Sequence, residues 1–128
     1  MEYTESLPDL SAHFEHRDEY LYVKIEGRGS YEQQKEIWEQ IAGELRSSSH
    51  FRLMVEQRSR SDLDMSDVFQ LSADIAAMGL DDCRSAYVDP DETNADINEF
   101  GETVAINRGF NGKVFTNVEE AEAWLLMY

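Results

Sequence analysis

The chain is short of five things, and each shortage closes off a class of protein. It has a single cysteine, Cys83, so no internal disulfide can form and nothing points to an oxidising compartment. It has no apolar run near the roughly 20 residues that cross a bilayer. Its start, MEYTESLPDL, lacks the basic and apolar stretches of a secretion signal. The expectation is a cytoplasmic protein with no membrane insertion. Cations are scarce as well: 11 Lys and Arg stand against 27 Asp and Glu, a formal charge of −16. That field repels phosphate backbones and anionic lipid surfaces, which argues against nucleic acid as a partner. Finally, there is no G-x-S-x-G, Walker loop, dinucleotide fingerprint or His-Glu-x-x-His spacing, and one cysteine cannot build a zinc ribbon. No cofactor, metal or catalytic residue is expected, and the chain does not read as an enzyme.

What is present suits a folded domain. In 128 residues, 41% are hydrophobic and 11% aromatic, enough for one core and too much for disorder. Residues 1–128 are read as one domain, opened by a loosely ordered arm over 1–12 that contains Pro8. HFEH and EYLYVKIEG then form a hairpin, since Leu21, Val23 and Ile25 alternate with polar or amphipathic residues at the period of a strand. Ser30 and Gln33 have the spacing of a capping box, and Ile37, Trp38, Ile41, Ala42 and Leu45 share a helical face behind them. FRLMVEQ (51–57) is a buried strand, followed by the polar loop RSRSDLD.

A helix follows, with Val68, Leu71, Ser72 and Ile75 on one face and Gly79 as its left-handed stop. RSAYVD (84–89) is a further strand. The next helix carries Ile97, Phe100 and Val104 and is weakened by Gly101. KVFTN is the last strand. Asn117 caps a closing helix whose inner stripe is Val118, Ala121, Trp124, Leu125 and Tyr128. The order ββαβαβαβα implies an α/β fold: a mixed, mostly parallel sheet with an N-terminal hairpin, flanked by helices.

This order, the strand-to-helix step at Ser30 and the segment VFTNVEEAEAWL resemble the STAS superfamily, and within it the SpoIIAA-like branch. The resemblance spans about residues 14–126 and implies a mixed sheet flanked by helices. It also implies a role in binding or regulation. In STAS antagonists of anti-sigma factors, a serine in an Asp-Ser-Ser-Gly segment is phosphorylated. Here the segment is DMSD, residues 64–67. Met65 holds the acceptor position, Ser66 matches only the second serine, and Asp67 replaces the glycine. The resemblance therefore leaves Ser66 as the sole hydroxyl for a phosphorylation switch, in a motif that departs from the family's.

Among the residues themselves, QRSRSDLDMS offers the best local chemistry. It leaves the carboxyl end of a strand, where open α/β sheets place ligands, and leads into a helix N-terminus. Arg58 and Arg60, with Ser61 and Ser66, form the candidate anion site there; the alternative is an exposed loop whose arginines offset nearby aspartates. The acidic run DPDETNAD lacks the glycine and glutamate of a calcium loop, so Asp89 and Asp91 read as turn and cap residues. His13 and His16 fall on opposite faces of a strand, which is wrong for sharing a metal. The expected function is non-catalytic protein binding or regulation. The alternative is a carrier that holds a small apolar or anionic ligand between sheet and helices. A filled core with a flat apolar patch would favour the first, and a lined pocket the second.

Overall fold

The computed structural model describes residues 2–61 and 63–127, and only the backbone of 59–61. Six strands form one mixed sheet: β1 (Glu2–Leu7), β2 (Leu10–His16), β3 (Leu21–Gly29), β4 (Arg52–Ser61), β5 (Arg84–Val88) and β6 (Gly112–Phe115). They lie side by side in chain order. β1–β2 and β2–β3 are antiparallel hairpin pairs, whereas β3–β4, β4–β5 and β5–β6 are parallel. The helices are α1 (Tyr31–Ser47), α2 (Met65–Ala76), α3 (Ala95–Ile106) and α4 (Val118–Leu125). The α/β architecture with an N-terminal hairpin is therefore as the sequence predicts.

Parallel strands that always step the same way, joined by right-handed crossovers, put their helices on one face of the sheet. That face carries α1, α2 and α3. Beneath α1, Phe14, Leu21, Val23, Ile25, Leu53 and Val55 meet Ile37, Ile41 and Leu45 in the main core. The opposite face is covered by α4, whose Ala121 and Leu125 pack on Tyr20, Tyr22, Met54, Ala86 and Val88. The period-two alternation of β4 serves both layers, with Leu53 and Val55 to one side and Met54 to the other.

Three expectations need correction. The supposed arm over 1–12 is strand β1 and the beginning of β2, joined by a two-residue turn at Pro8 and Asp9. Two contacts hold it: Tyr3 stacks on Phe14 with ring centroids 4.6 Å apart, and the Arg28 N–H donates to the Asp9 carbonyl at 2.6 Å. Gly27 allows the second approach. Its φ is +107°, and a Cβ there would lie 2.2 Å from the Asp9 oxygen. The second correction concerns 58–61, expected in a loop. They extend β4, because β3 runs on to Gly29 and pairs with them in register. The third concerns the closing stripe, where Ala121 and Leu125 are buried but Trp124 is only half-buried. Tyr128, assigned to the same stripe, lies outside the described residues.

The capping chemistry is as the sequence predicts at two sites. Ser30 Oγ accepts from the Gln33 N–H at 3.2 Å while Gln33 accepts from the Ser30 N–H at 3.0 Å. Asn117 Oδ1 accepts from the Glu120 N–H at 2.8 Å. At its other end α4 is tied down by Arg84. The guanidinium donates to the Trp124 carbonyl at 2.8 and 3.1 Å and lies 3.8 Å from the indole centroid.

Candidate functional site

The amphipathic face of α2 reaches the main core only in part, through Ile75 with Leu71 packed against it. Val68, Leu71, Ser72 and Ile75 line a cavity of about 570 Å³ bounded below by β4–β6 and above by α2 and α3. The reason lies in how the two helices meet. They pack chiefly on each other rather than on the sheet beneath. The crossing point is Gly101, where a Cβ would stand 3.0 Å from Ser72 Oγ and 3.2 Å from a Val68 methyl. A Cβ there would require Ser72 or Val68 to give by a few tenths of an ångström, so the glycine read as a weak point also permits this close approach of the two helices. Little of the roof is buried: Ile75 and Ala76 in α2, Val104 and Ala105 in α3. A roof of half-covered apolar side chains gains burial only when something fills the space below.

The floor is polar where a core strand would be aliphatic. Ser85, Tyr87 and Asp89 alternate along β5 and its continuation, so all three face the cavity, while Ala86 and Val88 pack under α4. The Asp89 N–H still donates to the Phe115 carbonyl at 2.9 Å, which carries the strand geometry through this residue. Ser85 is 3% exposed, and its hydroxyl has no hydrogen-bond partner among the described residues. Tyr87 is half-buried and lines the cavity. Burial, and secondarily the charge of Asp89, pushes its hydroxyl well above the usual tyrosine range. Gln34 and Gln57, both buried, complete the polar lining from α1 and β4.

Asp89 is 6% exposed, and its partners are three neutral N–H donors. The Asp91 N–H donates to Oδ1 at 3.0 Å; Asn94 and Asn98 donate to Oδ2 at 3.1 and 2.9 Å. The turn role expected of Asp89 is thus present, and Asp91 caps the short turn after it by accepting from the Thr93 N–H at 3.0 Å. The sequence reading missed that Asp89 also lines the cavity. The available signal was the alternation of polar residues in RSAYVD, on a strand flanked by two others.

Of the predicted anion site, the side chains of Arg58 and Ser66 are described. Arg58 donates from Nε to Glu56 at 2.5 Å, and Glu56, 5% exposed, also accepts from the Tyr22 hydroxyl at 2.5 Å. Burial tends to raise the Glu56 pKa, but the Tyr22 hydroxyl and Arg58 together outweigh it and hold the carboxyl below the usual range. The side chains of Arg60 and Ser61 lie outside the described residues. Ser66 is exposed on the first turn of α2. That helix start is already occupied by carboxylates: Asp64 accepts from the Asp67 N–H at 2.8 Å, and Asp67 reaches back to the Asp64 N–H at 3.4 Å. Two acidic side chains at the helix N-terminus take the place that a bound anion would use.

Elsewhere, His13 and His16 do lie apart. His13 Nε2 meets Glu2 at 3.0 Å on the open face of the hairpin, and Glu15 is the third potential metal ligand within 4.8 Å. Thr4 engages the other ring nitrogen at 3.1 Å, so hydrogen bonds and ion pairs account for this group. His16 pairs with Glu44 at 2.8 Å and stacks on His50. Cys83 is buried at the entrance to β5, and burial with Asp82 nearby raises its thiol pKa, the opposite of an activated nucleophile. Among the described residues no helix is long and apolar enough to cross a membrane. Compared with known proteins, the chain matches no family model and no curated sequence.

Proposed function

We propose that this domain is a non-catalytic binding module of STAS-like type whose ligand is a small molecule held between the sheet and the α2–α3 pair. The observation that carries this reading is the cavity of about 570 Å³, roofed by apolar side chains and floored by Ser85, Tyr87 and Asp89. Its size lies in the range of small-molecule sites, and its mix of apolar walls with a few inward polar groups is typical of them. It extends to the carboxyl edge of the parallel strands, where open α/β sheets bind ligands. Of the two roles expected from sequence, the carrier is thereby favoured over the protein-binding regulator.

Protein binding is the second reading, supported by Met65 and Phe69, which are exposed on α2. The two readings separate in one titration. Nile red, a neutral apolar dye, should bind saturably at one site, with amide shifts at Val68, Leu71, Ile97 and Ala105. Shifts confined to Met65 and Phe69, or no saturable binding, would remove the carrier reading.

A further inference from the structure

We propose that the cavity selects an amine-headed amphiphile, a protonated amine on an apolar body, and discriminates against carboxylates of the same length. This rests on the binding role argued above and names the chemistry of its ligand. Asp89 is the anchor. Three N–H donors and no acceptor surround its carboxylate, the environment of an ionised acid. All three are neutral, and among the described residues none forms an ion pair with it. An ionised carboxylate offers roughly four lone-pair sites, so one remains for a further donor.

Charge and depth then decide the sign. Asp91 and Glu102 add two more carboxylates to the lining, against Arg28 and Lys113. Both cations and Asp91 are exposed and Glu102 is half-buried, whereas Asp89 is buried. An exposed charge is screened by water and salt; a buried one acts through a lower dielectric. Asp89 therefore dominates the potential inside the cavity, and the overall charge of −16 acts in the same direction. An anionic head would meet repulsion here, contrary to the anionic alternative expected from sequence. A protonated amine would find an unpaired counter-charge.

The second, independent observation is Ser85. Its buried hydroxyl lines the cavity without a partner among the described residues, four positions along the strand from Asp89. At about 3.3 Å per residue, the two are roughly 13 Å apart. A ligand anchored at Asp89 would lay its body under Leu71, Ile75 and Ile97. A second polar atom at its far end would meet Ser85.

The test is competition against Nile red near neutral pH with octylamine, octanol and octanoate, which share chain length and differ in head. Octylamine should displace the dye at about one-tenth the concentration octanoate requires, equivalent to about 1.4 kcal/mol, with octanol between them. Asp89→Asn should bring amine and carboxylate within about twofold of each other. Should that variant fail to fold, wild-type amide shifts at Asp91, Asn94 and Asn98, larger for octylamine than for octanol, provide the same check. Octanoate binding as well as or better than octylamine, or equal shifts for octylamine and octanol at those amides, overturns the amine assignment while the cavity remains a ligand site. Failure of Nile red itself to bind refutes the underlying binding role instead.

Discussion

Replacing Tyr22 by Phe takes a hydrogen bond from a carboxylate that has almost no water to turn to. Glu56 is 5% exposed and is held by the Tyr22 hydroxyl and by Arg58, each at 2.5 Å. The ring itself stays, with its packing on α4 and the Arg17 guanidinium 4.0 Å from its centroid. The loss should therefore be that of one hydrogen bond to a charged group, about 1.5–3 kcal/mol near pH 7. Its pH dependence is the sharper signature. The folded Glu56 pKa lies below its ordinary value, for which an unfolded glutamate gives about 4.3. Stability from this cluster is thus fully present above about pH 4.3 and is lost as pH falls through the lower folded value. Tyr22→Phe lifts the folded pKa back toward ordinary, so wild type and variant should converge in acid. The remaining gap is that of a neutral bond, about 1 kcal/mol. Urea unfolding followed by tryptophan fluorescence, at about pH 7 and about pH 3.5, measures both. A gap under about 0.5 kcal/mol near neutrality, or one that does not narrow in acid, would show that Tyr22 is not a principal partner of Glu56.

Two further outcomes are expected from the same assay. Gly27→Ala should cost at least about 2 kcal/mol, because it adds strain at φ +107° and sets a Cβ 2.2 Å from the Asp9 oxygen; a loss under about 1 kcal/mol would mean that the β1–β2 turn moves freely. Trp124→Ala should cost about 2–3 kcal/mol, less than the 3–5 of a fully buried ring, with part of the loss coming from its contact with Arg84. Arg84→Lys should reproduce a fraction of that loss, and no change in either variant would detach α4 from the stability of the sheet.

Much of the frame was legible because it depends on near neighbours in the chain. The alternation in LYVKI placed β3, and Ser30 and Asn117 announced their helices through bonds that span three residues. β1 was not legible. EYTESL carries only Tyr3 and Leu7 as sizeable apolar groups, and what orders it is a partner strand and a ring stacked on Phe14. The end of β4 was missed for a related reason: RSRS is a poor strand by composition, and its pairing partner is β3, about thirty positions earlier. The cavity sits between these cases. The stripe Val68, Leu71, Ser72, Ile75 was visible, but periodicity reports only which way side chains point. Whether they meet a packed layer or an open space depends on the close approach of Ser72 and Val68 to Gly101, which no pattern within α2 contains. At the expected anion site, Glu56 faces the same side of β4 as Arg58 and pairs with its Nε, a contact that composition alone does not announce.

The matching of strand order in space with strand order in the chain bears on how the molecule comes together. Each strand, as it is made, finds its neighbour already waiting at one growing edge, so no earlier strand must be prised apart to admit a later one. Loop closures stay local, which favours rapid assembly and suits growth from a ribosome. The exception is α4. Tyr20, Tyr22 and Met54 are laid down early on β3 and β4, yet their cover is the last helix of the sequence. Until residues 118–125 have docked, that face presents a bare apolar sheet to water. The interval between completing β4 and seating α4 is therefore the stage at which the chain is most open to clumping with its own copies.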